Sequence, residues 1–147
     1  RDHLGRFVAL GRAVRTWALA EPARYALLYG TPVPGYDAPG ERTTEPGTRI
    51  IVALAQIMED AWQAGELHLE EEDDPAALTA DLDRIRTEYS LQAPAAVHAR
   101  TMLVWAALFG CVSFEVFGQY GTGTFTDPEA LFEAHLRRLA GTLGLVG

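Results

Sequence analysis

The residues able to do chemistry are few, and their spacing rules out most of what they could do. His68-Leu69-Glu70 has the H-x-E form of a zinc deaminase. That site also needs a P-C-x-x-C segment, and Cys111 is the single cysteine of the 147 residues. The run Glu70, Glu71, Glu72, Asp73, Asp74 offers oxygen ligands. It lacks the spacing of a calcium loop and reads as a solvated acidic connector. His98 and Cys111 stand thirteen positions apart in one helical stretch, which separates them by about 220° and roughly 20 Å. They form no dyad. Ser113 lies outside any G-x-S-x-G elbow. Gly121-Thr122-Gly123 follows a helix rather than a strand, so no phosphate cradle is expected. Glu115 is a carboxylate in an otherwise apolar stretch. It either hydrogen-bonds a bound molecule or is a structural acid paired with an arginine, because buried charges are normally paired. No catalytic set, metal site or cofactor is expected.

The remaining candidates are rings and thioethers. Trp17, Tyr25, Tyr29, Trp62, Trp105 and Phe109, with Met58 and Met102, fall on core-facing or adjacent positions. Flat rings and flexible Met build ordinary cores, and they also line apolar pockets.

The elements that must position them are all helices. Asp2 caps a first helix striped by Leu4, Phe7, Leu10, Val14 and Trp17. Pro22 opens a short second helix, closed by Gly30. Proline and glycine mark Thr31–Gly47 as a loop. A third helix runs from about Thr44 or Thr48 to Ala64, with Ile50, Leu54, Ile57, Met58 and Ala61 inward. Asp74–Pro75 is read as an N-cap and first turn for a fourth, striped by Leu78, Leu82, Ile85 and Tyr89. Pro94 opens the longest helix, reaching about Gln119. Asp127–Pro128 starts the last, striped by Phe132, Leu136, Leu139 and Leu143. Without strand alternation or repeats, the pattern is an all-α six-helix bundle.

Net charge is −8, which opposes nucleic-acid binding by these residues. The imbalance sits in residues 50–99, with two Arg against eleven acids, whereas residues 1–49 carry seven Arg against five acids. Every basic residue other than histidine is Arg, and Lys and Asn are absent. Both missing types use AT-rich codons, so a GC-rich bacterial genome is expected. The longest charge-free apolar run, Thr101–Phe114, falls short of the ~20 residues a bilayer needs, and no signal peptide opens the chain. The chain begins with Arg1 inside an amphipathic pattern, which predicts a piece of a longer protein.

Between Arg100 and Glu115 the long helix has no charge on any face. Such a helix is covered on both sides. Either it is the centre of one bundle, or one side packs on the domain and the other on a partner. Ala106 with Gly110, and Ala107 with Cys111, leave room for close helix approach.

Three stretches resemble the TetR family of transcriptional regulators. WALAEPARYALLYGTPVPGYDAPG (Trp17–Gly40) is similar to a segment common in its members from GC-rich bacteria. MLVWAALFGCVSFEVFGQ (Met102–Gln119) and DPEALFEAHLRRLAGTLGL (Asp127–Leu145) resemble their last two helices. The resemblance implies that residues 1–147 form a C-terminal ligand-binding and dimerisation domain of a cytoplasmic regulator, a repressor. It implies a homodimer through the last two long helices, with Ala107, Gly110, Cys111, Phe114, Gly118, Phe132, Leu136 and Leu139 at the interface. It implies a pocket for a small, largely apolar effector, drawing on Tyr25, Tyr29, Met58, Trp62, Met102, Trp105, Phe109 and Glu115. Tyr29 and Trp105 stand foremost, because the family's pocket lies between the short, third and penultimate helices. Operator DNA would be bound by an N-terminal helix-turn-helix domain that does not precede Arg1 in this sequence. The alternatives are a free-standing helical carrier and a small enzyme acting on a lipophilic molecule.

Overall fold

The computed structural model describes residues 2–30, 34–35 and 40–145, with side chains from residue 48 onward in the last stretch. Six helices follow in order: α1 (His3–Ala20), α2 (Pro22–Tyr29), α3 (Gly40–Gln63), α4 (Ala76–Tyr89), α5 (Ala95–Val116) and α6 (Pro128–Thr142). No strand occurs among the described residues.

Local chemistry sets most of the helix ends. Asp2 accepts a hydrogen bond from the Gly5 N–H at 2.6 Å, and Asp127 accepts one from Ala130 at 2.9 Å. Each quenches a backbone donor that the first turn leaves unpaired. Pro22 and Pro128 occupy first-turn positions, where a missing N–H costs nothing. Two expectations are corrected, at Asp74 and at the start of α3. Asp74 does not cap α4; Pro75 takes the cap position and no side chain bonds there. Gly30 closes α2 as expected, with extended backbone. It is required, because a Cβ there would stand 2.2 Å from the Ala26 carbonyl oxygen. Finally, α3 begins at Gly40, inside the stretch read as loop through Gly47. Pro46 forfeits one backbone bond, which a helix of 24 residues tolerates.

α5 is the hub. It packs on α1, α3, α4 and α6, while α1 also packs on α2, α3 and α6. Val97, Thr101, Val104, Leu108 and Val112 form its buried row. They meet Phe7, Val14 and Ala18 of α1, Leu54, Ile57, Met58 and Ala61 of α3, and Phe132, Leu136 and Ala140 of α6 in one core. Each large side chain so buried contributes roughly 1.5–3 kcal/mol. At Gly11, α1 and α6 come so close that a Cβ would lie 2.4 Å from a Leu136 methyl.

Counting only charge-free residues understated α5. The helix continues past Arg100 and Glu115 to 22 residues, long and apolar enough to cross a membrane by length and composition. A central helix of a bundle meets the same description. The packing of four helices around α5 gives it that place.

Candidate functional site: two apolar cavities beside α3

Two cavities lie on either side of the N-terminal half of α3. The inner one, about 280 Å³, is walled by Leu10, Ala13, Val14 and Trp17 of α1, Leu28 and Tyr29 of α2, Arg49 and Ile50 of α3, and Phe109 of α5. The outer cleft, about 340 Å³, lies between α3, α4 and α5. Ile51, Val52 and Ala55 face Ile85 and Tyr89 across it, and Met102 and Trp105 line it from α5. Trp105 and Phe109 touch edge to face at 6.5 Å, so neighbouring turns of α5 serve different cavities.

An aromatic cluster supports the inner wall. Tyr29 lies against Phe109 at 4.4 Å between ring centroids, and Tyr25 stacks near-parallel on Phe109 at 6.4 Å. Trp17 meets Tyr25 edge-on at 5.9 Å. The Tyr25 hydroxyl shares a 2.7 Å hydrogen bond with Ser113 Oγ and donates to the Phe109 carbonyl at 3.3 Å. Burial pushes the phenols of Tyr25 and Tyr29 up from 10.0, so both are neutral in the cell's pH range. The inner wall is apolar and aromatic, and its lining residues include no nucleophile paired with a base.

The expected ligand-binding residues therefore divide. Tyr29 and Phe109 line the inner cavity, and Met102 and Trp105 the outer cleft. Tyr25 stands behind the inner wall, fully buried, and Met58 belongs to the core. Trp62 is exposed at the end of α3 and lines neither cavity. Glu115 lies in neither: it takes Arg15 in a bidentate pair at 2.8 and 2.7 Å. Sequence reasoning missed Leu10, Val14 and Ile50 as lining, because a helical stripe does not say which inward residues meet a void. Arg49 gave no signal at all.

Arg15 and Arg12 tie α1 to the last two helices. Arg12 grips Glu133 of α6 at 2.7 and 2.8 Å, and that hydrogen bond holds the Glu133 carboxyl below its usual range. The Arg15 guanidinium is also stacked 5.5 Å over the Phe132 ring.

A second polar junction joins α3 to the start of α5. The Glu59 carboxylate, 5% exposed, accepts from the Gln92 N–H at 2.8 Å, the Ala93 N–H at 3.0 Å and the Gln63 amide at 3.1 Å. His98 lies nearby, buried, and its Nε2 finds no hydrogen-bond partner among the described residues. Burial lowers its imidazole from the ordinary 6.5, and Arg86 adds to this; the charge of Glu59 and a backbone bond at Ala93 pull the other way. The folded state therefore favours neutral His98. That contribution to stability is full above pH 6.5 and is lost as pH falls below 6.5 toward the lowered value. Urea unfolding at pH 7.5 and pH 5.5 is expected to show lower stability at the acid end. His98→Gln should remove this part of the pH dependence.

The outward face of α5 is apolar and bare. Leu103 is 60% exposed, Phe114 50% and Phe117 42%. Ala107 and Cys111 are half-buried, and nothing lies near where a Gly110 Cβ would be. Burial raises the Cys111 thiol, keeping it protonated. Gly118 is exposed just beyond the helix. On α6, Phe132 and Leu136 are buried inside the chain against α1, and only Leu139 is half-exposed among the three expected there. The area left for a partner thus lies mainly on α5.

A six-helix bundle built on a central apolar helix, with small cavities beside its third helix, is the C-terminal domain type of the TetR regulators. The chain belongs to that family: the family described as "Tetracyclin repressor-like, C-terminal domain" matches residues 7–139. The HTH-type transcriptional regulators Rv1816 of Mycobacterium tuberculosis and Mb1846 of Mycobacterium bovis are each 40% identical to it over 136 residues. The match covers 92% of this chain and 58% of each relative, so the chain spans less than two thirds of their length. The crystal structure of SCO4313, a protein assigned as regulatory, superposes with a TM-score of 0.65 at 38% identity. It covers 92% of this chain and 60% of that one.

Proposed function

We propose that this domain is the effector-binding and dimerising part of a TetR-type transcriptional repressor acting in the cytoplasm. A small, largely apolar ligand occupies the inner cavity and changes the DNA affinity of a helix-turn-helix domain carried elsewhere in the protein. The observation that carries this reading is the inner cavity itself. Four of its nine lining residues belong to α1, and α1 is fastened to α5 and α6 by Arg15 and Arg12. A ligand wedged against α1 thus acts on an element tied to the self-association face. Two sites coupled through one shared element is what effector control requires. The surplus of acids in residues 50–99 leaves the DNA contact to other residues.

The test is thermal stabilisation by 1-octanol as an apolar probe. Ligand at a hundred times its dissociation constant stabilises by about 2.7 kcal/mol, a readily measured rise in Tm. Ala13→Trp, an exposed residue at the cavity edge, should keep the fold and remove the response. A response undiminished in that variant would place binding outside the inner cavity.

A further inference from the structure

We infer that the inner cavity selects a short apolar molecule carrying a carboxylate head, with Arg49 as the counter-charge. The inference rests on the reading of that cavity as a ligand site and goes on to assign the ligand's chemical class. Eight of the nine lining residues are uncharged, and Arg49 is the ninth. The outer cleft of similar size is lined by no charged residue at all. The two cavities thus differ in kind: one is apolar with a cation at its wall, the other is neutral.

Arg49, like Arg137 and Arg138 on α6, stands outside the ion pairs of the described residues, and of these three it alone lines the inner cavity. Arg6, Arg12, Arg15, Arg24, Arg84, Arg86 and Arg100 each have an acidic partner. Arg49 is exposed and has none among the described residues. Glu45 stands four positions earlier in the sequence, with its side chain outside those residues. A cation at the wall of an apolar cavity, in a chain of net charge −8, selects its ligand by head group. A planar guanidinium matches a carboxylate with two parallel hydrogen bonds. Tyr29 adds a neutral phenol to the same wall.

The volume sets the length of the tail. At roughly 30 Å³ for each water-sized group, about 280 Å³ holds on the order of nine or ten heavy atoms. Octanoate is of that size, and octanamide is its uncharged match. Their affinities are to be measured by calorimetry for the unmodified chain, Arg49→Gln and Ala13→Trp, with circular dichroism confirming each fold.

The expected result is octanoate binding about two- to fivefold tighter than octanamide, the range for an exposed ion pair. Arg49→Gln should weaken octanoate by that factor and leave octanamide unchanged. Ala13→Trp should abolish both. Raising the salt concentration should shrink the preference, since the head sits near solvent. Equal affinity for the two probes would overturn the carboxylate assignment and leave the cavity as an apolar site. A preference that survives Arg49→Gln would overturn the role of Arg49. Binding of neither probe, or binding that persists in Ala13→Trp, would overturn the cavity reading and this inference with it.

Discussion

Replacing Glu59 with Ala is expected to lower the unfolding free energy by about 2–5 kcal/mol. The carboxylate closes the joint between α4 and α5 by accepting the N–H groups of Gln92 and Ala93. Pro94 follows at the cap position and supplies no side-chain bond, so those two donors have no local substitute. Each buried donor left unmade costs about 1–3 kcal/mol. For a chain of this size the loss corresponds to a fall in Tm of roughly 5–15 °C. Glu59→Gln should cost less, because an amide oxygen still accepts one of the two bonds. Urea unfolding followed by circular dichroism measures both variants. The charge of Glu59 also opposes the lowering of His98, so Glu59→Ala should steepen the stability loss below pH 6.5. A variant as stable as the parent would mean that water reaches Gln92 and Ala93 and that the joint is not held this way.

Glu59 also shows where a sequence stops being legible. It sits between Met58 and Asp60 in a helix, and the backbone N–H groups it accepts lie thirty-three and thirty-four residues later. Nothing local marks it as buried. Asp2 and Asp127 were legible as caps because the donor they satisfy lies three residues away. Asp74 looked the same and failed because Pro75 moved the helix start one residue on. The inward stripes of α1, α3 and α6 survive folding: Phe7, Val14, Leu54, Ile57, Phe132 and Leu136 are all core. The stripe of α4 does not. Of Leu78, Leu82, Ile85 and Tyr89 only Leu82 is buried, because α4 packs on α5 and leaves an open cleft toward α3. Periodicity names a face; the neighbour that meets it, or the void it borders, is settled by the packing of other helices. That is why the aromatic set was readable as a group while its division between two cavities was not. Arg49 was unreadable for the same reason, since its place at a cavity wall is a matter of packing.

Phe114→Arg is expected to convert a homodimer into a folded monomer. An exposed row of Leu103 and Phe114 on α5, continued by Phe117 just past its end, is the surface that a second copy would cover. Gly110 leaves open space in the middle of the row, so two α5 helices can approach closely there. Phe114 is braced edge to face by Tyr120 at 5.6 Å, which gives the patch a fixed shape. In a two-fold interface each substitution counts twice. A guanidinium forced into an apolar contact costs about 2 kcal/mol or more at each copy, and about 4 kcal/mol together weakens association about a thousandfold. The monomer should keep its stability, because Phe114 is half exposed before any partner arrives. Leu27→Arg is the control. That residue is 87% exposed on α2, away from this row, and its substitution should leave the dimer intact. Light scattering across micromolar concentrations reads the outcome. An unmodified chain that stays monomeric would remove dimerisation from the proposed role, and a Phe114→Arg dimer would move the interface to another face. If the Phe114→Arg monomer still binds 1-octanol, cavity and interface are separable parts, and the ties from Arg12 to Glu133 and from Arg15 to Glu115 are the contacts left to couple them.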